Sequence, residues 1–288
     1  MAQPDNDVFV RLERFYDALP RPWARSEDFG PLVLFVREGE GWPYYARPVI
    51  GADTPSAADI TAVRRRQRDL GAPEAFEWVH ETTPDLLAVA RSAGLEVLLA
   101  PLLVLDPAAL VPDLPVDGGA LRVLDPGADT FPTDLAVSRT VANLAFGTPA
   151  PVSATADGAL IVEVAGPAQR DAATAELSDG LVASFRKRAA SGAHATAVID
   201  SATEGILATG GLMRSGDVAE IAGVATLPSA RRRGYASQIT AALARRALTE
   251  GVSLIFLSAG DDDAARLYTK VGFRRIGTAC IAEPGTPL

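Results

Sequence analysis

Apolar and polar positions follow one another along this chain in segments of strand length and helix length. The pattern is most regular between residues 220 and 273, where it predicts strand, glycine turn, helix, strand and helix. An apolar run at 221–227 forms the first strand, and Pro228 ends it. Helical spacing follows, and a second apolar run at 253–257 predicts the next strand. The rest of the chain can be organised around this stretch.

The first 110 residues repeat that order in a shorter form. The predicted elements after a helix at 7–19 and a strand at 32–36 are strand 44–50, helix 57–70, strand 76–80, a helix that starts at Pro84 and ends at Gly94, and strand 97–105. Pro48 predicts an edge or bulged strand, because proline cannot donate to a ladder. The repeated order indicates an internal duplication.

A stretch rich in proline, aspartate and glycine separates the two repeats and predicts a linker. We therefore predict an N-terminal domain at 1–110, a linker at 111–120 and a C-terminal domain at 121–288. The C-terminal domain opens with a strand at 121–125, and its later predicted elements are helices at 132–147 and 171–190 and a hairpin at 195–213. The predicted fold class is α/β, with a mixed sheet of the α+β kind.

The turn after the first strand of the opening stretch has the chemistry of an anion site. Gly234 lets the backbone approach a ligand, and Ala236 keeps the start of the helix uncrowded. The first amides of a helix lack intrahelical partners, and the helix dipole adds positive potential there. Such a turn suits phosphate or pyrophosphate, and the arginines at 231–233 add charge.

These residues resemble a known motif. Arg231-x-x-Gly234-x-Ala236 after an apolar strand is similar to the pyrophosphate loop of the GNAT superfamily, the acetyl-CoA-dependent N-acetyltransferases. A Leu-Tyr-x-x-x-Gly-Phe helix end at 267–273 lies at the superfamily's usual distance. The resemblance covers the C-terminal half well. It implies a complete GNAT domain there, with a shortened GNAT-like domain before it.

The resemblance also implies how acetyl-CoA is held. Backbone groups of Val224, Ala225 and Thr226 would pair with the pantetheine arm, with Gly223 marking a bulge or close approach. Amides from Arg232 to Ser237 would hold the pyrophosphate, and the side chains at 231–233 the outer phosphate. The implied cofactor contacts are Val224, Ala225, Thr226, Arg231, Arg232, Arg233, Gly234, Tyr235, Ala236, Ser237 and Asp261. Asp261 stands where the family often has asparagine, so helix capping is its alternative role.

Two catalytic residues follow from the same resemblance. Tyr268 matches the tyrosine that protonates the departing thiolate, although it could instead only pack against the cofactor. Glu220 stands where some members place a general base, the alternative being an ordinary strand-end glutamate, and Asp217 is the reserve base. Cys280 is expected to be buried packing rather than a nucleophile, because the family transfers the acetyl group directly.

The N-terminal repeat lacks the corresponding residues. The segment 53–59 contains two acids and no glycine where the arginine-glycine loop should be, and Ala90 replaces the tyrosine. We therefore expect a degenerate domain that does not bind CoA. Aromatic residues concentrated in this half predict either core and domain interface or one wall of an acceptor pocket; they are Trp23, Trp42, Trp78, Tyr44 and Tyr45.

Composition narrows the class of partner. The chain has 288 residues, of which 48% are hydrophobic, and a net charge of −9, which argues against nucleic acid and anionic membranes as partners. One cysteine, no visible signal peptide and no long apolar run indicate a cytoplasmic protein without a membrane span. Arginine greatly outnumbers lysine, which suggests a bacterial source. His80 and His194 lack neighbours at metal-ligand spacing, so no metal is expected.

The leading hypothesis is a GNAT N-acetyltransferase that moves an acetyl group from acetyl-CoA to the amine of a small molecule by direct attack. A homodimer is compatible with this hypothesis. A non-catalytic acyl-CoA-binding or regulatory protein on the same fold is the alternative. A Rossmann-type nucleotide-binding domain is disfavoured, because the chain lacks Gly-x-Gly-x-x-Gly in that context.

Overall fold

A computed structural model describes residues 4–41, 43–113, 115–147, 152–154, 160–162 and 164–285. Its helices are α1 (Pro4–Ala18), α2 (Ala57–Asp69), α3 (Leu86–Ser92), α4 (Phe131–Phe146), α5 (Pro167–Ala173), α6 (Asp179–Ala190), α7 (Tyr235–Thr249) and α8 (Asp262–Val271). Its strands are β1 (Ala24–Phe29), β2 (Leu32–Arg37), β3 (Ala46–Pro48), β4 (Phe76–Val79), β5 (Leu95–Leu105), β6 (Ala120–Val123), β7 (Val152–Ala154), β8 (Leu160–Val162), β9 (His194–Ser201), β10 (Gly205–Ser215), β11 (Val218–Thr226), β12 (Leu254–Ser258) and β13 (Phe273–Pro284).

Eleven of these strands form one mixed sheet, in the order β1-β2-β3-β4-β13-β5-β12-β11-β10-β9-β6. The two strands β7 and β8 form a separate hairpin. The predicted α/β class with a mixed sheet is confirmed, and the sheet extends across both halves of the chain.

The two halves exchange their last strands. The C-terminal strand β13 lies between β4 and β5 of the N-terminal half, and β5 lies between β13 and β12. The antiparallel β5–β13 ladder runs from Leu105 opposite Phe273 to Leu95 opposite Pro284. Each half therefore completes the sheet of the other. The boundaries predicted from composition stay a prediction, and this shared ladder spans them.

The repeated element order is visible in the structure. The series β3-α2-β4-α3-β5 in the first half matches β11-α7-β12-α8-β13 in the second. In both series the first two strands pair in parallel, β3 with β4 and β11 with β12. In both, a glycine with positive φ, Gly94 or Gly272, directly precedes the last strand.

Two strand predictions need correction. The edge strand β1 was not predicted, because its sequence ARSEDF has no apolar alternation and its formation depends on pairing with β2. The predicted edge strand around Pro48 is in fact internal, between β2 and β4. It tolerates proline because Pro48 is its last residue, opposite Leu32.

Two helix predictions also need correction. The single helix predicted at 171–190 is two helices, α5 and α6. Ser178 starts the second, because its hydroxyl accepts a hydrogen bond from the amide of Leu181 at 3.2 Å. Pro84 is not the first residue of α3, which begins at Leu86.

The helices cover the sheet on both faces. Each face of the sheet has its own hydrophobic core, and alternate residues of β12 belong to different ones. Ile255 and Leu257 belong to the core that includes α4 and α7, whereas Phe256 belongs to the core beneath α1. Phe15 of α1 packs edge-on against Phe256, with ring centroids 5.1 Å apart. This second cluster draws on β4, β13, β5, β12 and β11, so α1 covers the seam between the halves. None of the described helices is long and apolar enough to cross a membrane.

Close packing of α7 on the sheet depends on Gly210 in β10. A Cβ atom at this position would lie 2.5 Å from Cγ2 of Ile239 in α7. We expect Gly210→Ala to lower the unfolding free energy by about 1–3 kcal/mol, because overpacking forces the helix away from the strand. Gly260→Ala is the matched control, since its Cβ would meet nothing within 4 Å. Urea denaturation measures both, and equal midpoints for the two variants would contradict the assignment.

Candidate functional site

An opening between β11 and β12 is the centre of the candidate site. The two strands pair only through residues 218–220 and 254–256. Beyond Glu220, the rest of β11 keeps its ladder with β10 but has no strand partner on the β12 side. The strands therefore diverge and leave a row of backbone groups available on one edge of β11.

A bulge sets the geometry of that edge. Thr209 faces Ala225 while Gly211 faces Ala222, so Gly223 and Val224 together oppose a single residue of β10. Gly223 has a φ of +63°, which glycine adopts without strain. Of the two roles expected for Gly223, a bulge or a close approach, the structure shows the bulge. The bulge includes the first of the predicted cofactor contacts, Val224, which is half-buried like Thr226, whereas Ala225 is buried.

The loop after β11 turns the chain into α7 through two left-handed residues. A short 3₁₀ turn, Pro228–Ala230, follows the strand. Arg232 has a φ of 69° and is the one non-glycine residue with positive φ in the described part of the chain. Gly234, at φ 80°, is the N-cap of α7 and supplies no side-chain cap. The first amides of α7 are thus left for a ligand, in the concave arrangement that binds anions.

The three arginines of the loop have different surroundings. Arg231 donates to the carbonyl oxygen of Ala145 at 3.0 Å, which ties the loop to the end of α4. Arg233 lies 3.6 Å from Glu204. Arg232 is exposed and forms no hydrogen bond or ion pair within the described residues. The sequence-based expectation treated the three alike, whereas in the described part of the chain only Arg232 lacks such a partner.

Two side chains in the first turn of α7 form hydrogen bonds with the segment that precedes β6. Tyr235 is buried, and its hydroxyl donates to the carbonyl oxygen of Asp117 at 2.7 Å. Gln238 donates to the carbonyl of Pro115 at 2.9 Å. The side chain of Tyr235 thus supports the loop, and only its amide faces the candidate anion site. Ala236 and Ser237 are half-buried in the same turn.

Tyr268 lies on α8, on the α7 side of the sheet. Its ring packs edge-on against Phe273, with centroids 6.4 Å apart, and it borders the core cluster of that face. Burial raises the pKa of Tyr268 to about 12. The hydroxyl therefore keeps its proton at neutral pH, as a proton donor must.

Asp261 caps α8. Its carboxylate accepts a hydrogen bond from the amide of Ala264 at 2.7 Å, and its backbone is extended as an N-cap requires. This is the capping role that the sequence left open for it. Asp262, next in the chain, pairs with Arg275 at 3.0 Å. The carboxylate of Asp261 is thus already engaged in holding the helix that carries Tyr268, and its contact with a cofactor stays a prediction.

Glu220 points to the opposite face of the sheet, beneath α1. Its side chain is 7% exposed, and it accepts a hydrogen bond from the hydroxyl of Tyr16 at 3.2 Å. Burial raises the pKa of Glu220 to about 8, the charge of Glu77 adds to the rise, and the bond from Tyr16 opposes it. Glu220 and Tyr268 therefore lie on opposite faces of the sheet.

The sequence did not single out several polar residues that surround Glu220. Glu77 of β4 is half-buried, and burial raises its pKa to about 7. Arg47 of β3 is fully buried and paired with Glu13 of α1. Tyr16 lies under the Arg47 guanidinium, whose carbon is 5.3 Å from the ring centroid. The signal for these residues was a charge within an apolar strand, as in Phe-Glu-Trp-Val at 76–79.

Neither Cys280 nor His194 supplies a charged side chain at neutral pH. Cys280 is fully buried, and burial raises the pKa of its thiol to about 12, so no thiolate is available there. Burial lowers the pKa of His194 to about 4. The described residues contain no group of histidine, cysteine and acidic side chains arranged to hold a metal ion.

Comparisons with known proteins agree with this geometry. Residues 201–282 match the family model described as FR47-like protein. A GCN5-related N-acetyltransferase from Kribbella flavida has a similar structure at 22% identity, with a TM-score of 0.67 over 97% of this chain and 96% of that one. A GCN5-related N-acetyltransferase from Sphaerobacter thermophilus gives 16% identity and a TM-score of 0.54, over 90% of this chain and 83% of that one.

A tandem GNAT protein from the clavulanic acid biosynthesis pathway is also similar, at 16% identity and a TM-score of 0.50, over 89% of this chain and 79% of that one. No curated protein matches the chain. The structural likenesses show a GNAT fold over nearly the whole chain. The FR47-like match covers the strand–loop–helix unit in the second half of the chain.

The raised pKa of Glu220 predicts a pH-dependent stability. The folded protein binds this proton more tightly than the unfolded chain, so the unfolding free energy falls as pH rises from the ordinary value of 4.5 to about 8. The slope is on the order of 1 kcal/mol per pH unit. Glu220→Gln should flatten the pH profile in urea denaturation, while Glu96→Gln, on the exposed part of β5, should not. Parallel profiles for Glu220→Gln and the wild type would contradict the burial of this carboxyl group.

Proposed function

We propose that the protein is an acetyl-CoA-dependent N-acetyltransferase that acts on a small-molecule amine by direct attack in a ternary complex. The observation that carries this proposal is the opening between β11 and β12, followed by the bulge, the left-handed loop and the uncapped start of α7. Acetyl-CoA has an extended arm with a thioester at one end and a pyrophosphate at the other. The arm suits the open edge of β11, and the pyrophosphate suits the loop and helix start that follow it in the chain.

The donor would be held mainly by backbone groups. The free edge of β11 at Val224, Ala225 and Thr226 would pair with the amides of the pantetheine arm. The amides of residues 232–237 would bind the pyrophosphate, and the exposed side chain of Arg232 would reach an outer phosphate. Because these contacts are backbone contacts, the glycines and the bulge decide binding more than the side chains do.

The two candidate catalytic groups suit the proton balance of the transfer. The amine nitrogen forms a bond to the thioester carbonyl carbon, and the carbon–sulfur bond breaks. The nitrogen loses a proton, for which the carboxylate of Glu220 is the proposed acceptor. The leaving thiolate gains a proton, for which the hydroxyl of Tyr268 is the proposed donor. Because its pKa is about 8, a larger fraction of Glu220 is deprotonated, and thus able to accept a proton, in mildly alkaline solution.

The N-terminal half would have no donor site of its own. The start of α2 is closed by a capping box, in which the Ser56 hydroxyl accepts from the Asp59 amide and the Asp59 carboxylate accepts from the Ser56 amide. These oxygen atoms bond to amides at the helix start, which are then not available to a phosphate group. Ala90 stands on α3 where Tyr268 stands on α8. We therefore assign one donor site to the chain.

The direct test is release of free thiol from acetyl-CoA in the presence of a panel of amines. We expect amine-dependent release, with Gly234→Glu losing both turnover and CoA binding in calorimetry, because the new side chain is strained at positive φ and repels phosphate. Gly216→Glu is the control, since Gly216 also has positive φ and open space around it but lies in the β10–β11 turn.

Each result has a defined meaning. Tight CoA binding without turnover of any amine would reject the transferase and favour the non-catalytic acyl-CoA-binding protein. Normal CoA binding by Gly234→Glu would reject the loop as the pyrophosphate site.

Removal of one hydroxyl tests the proton donor. Tyr268→Phe keeps the ring that packs against Phe273 but cannot protonate a thiolate. We expect kcat to fall about 100-fold with unchanged CoA binding, as is typical for loss of a general acid. Stopped-flow thiol release and calorimetry measure the two quantities. Full turnover by this variant would reduce Tyr268 to a packing residue.

A further inference from the structure

Three cationic side chains meet between the two halves of the protein, around two aromatic rings. We call them the basic cluster: Arg37 of β2 with Lys187 and Arg188 of α6. The Arg188 guanidinium carbon lies 4.5 Å from the ring centroid of Trp23, and the Lys187 ammonium lies 5.3 Å from it. The Arg37 guanidinium lies 4.7 Å from the ring of Tyr44.

No carboxylate in the described part of the chain forms an ion pair with the two α6 residues. Their contacts there are with the ring of Trp23 and, for Arg188, with the hydroxyl of Tyr44. The Nε atom of Arg188 is buried without a hydrogen-bond partner, although its Nη2 donates to the hydroxyl of Tyr44 at 3.3 Å. The charge of Arg188 also contributes to the lowered pKa of Arg37, after burial and despite the opposing effect of Tyr44. Like charges held this close favour an anion between them.

Arg186 lies on the same helix, and its guanidinium has hydrogen-bond acceptors. It donates to the carbonyl oxygens of Pro126 at 2.7 Å and Ala128 at 3.4 Å, and its guanidinium lies over the ring of Phe131. Arg188 has an aromatic partner too, but its buried Nε has no acceptor. Packing alone therefore accounts for Arg186 and leaves part of Arg188 unexplained.

The sheet connects the basic cluster to Glu220. Phe185 of α6 packs edge-on against His194 at 5.3 Å, and Arg188 contributes to the lowered pKa of His194. His194 lies directly opposite Met213, which lies directly opposite Glu220. Residues opposite one another in antiparallel ladders point to the same face. Two strand spacings separate His194 from Glu220, on the order of 10 Å.

A second connection runs through the N-terminal half. The ring of Tyr44 packs against that of Tyr45 at 6.4 Å. Tyr45 donates to the backbone carbonyl of Tyr16 at 3.2 Å, and Tyr16 donates to Glu220. Both connections end at the same place, where Glu220 and Glu77 supply carboxyl groups. The face between the halves therefore has an acidic end at the strand opening and a basic end at α6, with tyrosines between them.

We propose that the acceptor amine carries an anionic group at the end away from its nitrogen, bound by Lys187 and Arg188, while the nitrogen lies at Glu220. This inference rests on the proposed acetyltransferase function and specifies its substrate class. A carboxylate and a phosphate share the required charge. The N-terminal half then contributes to acceptor recognition through Arg37, Trp23 and Tyr44.

The test compares amines that differ only at the far end. With acetyl-CoA, ε-aminocaproate and 4-aminobutyl phosphate carry an anion six bonds from the nitrogen, hexylamine carries none, and diaminohexane carries a second cation. We expect kcat/KM to be about tenfold higher for at least one anionic amine than for hexylamine, mainly through KM, and lowest for diaminohexane. The ratio between the two anionic amines distinguishes carboxylate from phosphate.

Variants of α6 test whether the preference for an anionic amine comes from the basic cluster. Arg188→Gln should lower kcat/KM for the preferred anionic amine about tenfold more than for hexylamine, whereas Arg186→Gln, two residues earlier on the same helix, should preserve the preference. Lys187→Gln, at an exposed position, provides a second variant if Arg188→Gln does not fold.

The outcomes separate this inference from the proposed function. Equal kcat/KM for anionic amines and hexylamine would overturn the inference and leave the transferase intact. If no amine is acetylated, the proposed function fails, and calorimetry with ε-aminocaproate and 4-aminobutyl phosphate alone still tests the anion site. Binding that is lost in Arg188→Gln and kept in Arg186→Gln would support the site, and absence of binding to the wild type would overturn it.

Discussion

The antiparallel ladder between β5 and β13 is the constraint on which the rest of this structure depends. It joins the last strand of each half into the sheet of the other, so neither half has a complete sheet without its partner. The seam core beneath α1 exists only because five strands from both halves meet there. The same seam brings Glu77 of β4 close enough to Glu220 of β11 for the charge of one to raise the pKa of the other.

The two copies of the repeated series of strands and helices differ in the groups at the start of their first helix, α2 or α7. In the first copy, Ser56 and Asp59 satisfy the free amides of α2 with oxygen atoms of the chain itself. In the second, Gly234 leaves the amides of α7 open, and Arg232 adds charge beside them. The difference concerns a few residues in a turn, and free amides at a helix start are the groups that bind phosphate in proteins.

Burial acts on the candidate catalytic groups in the directions that proton transfer needs. Tyr268 keeps its proton because it is desolvated on the α7 side, whereas Glu220 is brought towards neutral pKa on the α1 side. The two side chains lie on opposite faces of the sheet, Tyr268 with the core on the α7 side and Glu220 beside Tyr16 of α1.

Sequence alone determined the features that depend on local chemistry. The strand–glycine–helix turn at Gly234, the bulge at Gly223, the cap at Asp261 as one of two open roles, and the repeated element order all follow from residue type and spacing, because backbone conformation at such positions is restricted locally. Only the tertiary structure decided what depends on long-range pairing. The exchange of β5 and β13, the strand formed by ARSEDF, and the approach of Tyr16, Glu77 and Arg188 to one face join residues far apart in the chain. Apolar periodicity carries no information about which strand pairs with which, since any of several apolar strands could occupy the same position in a sheet.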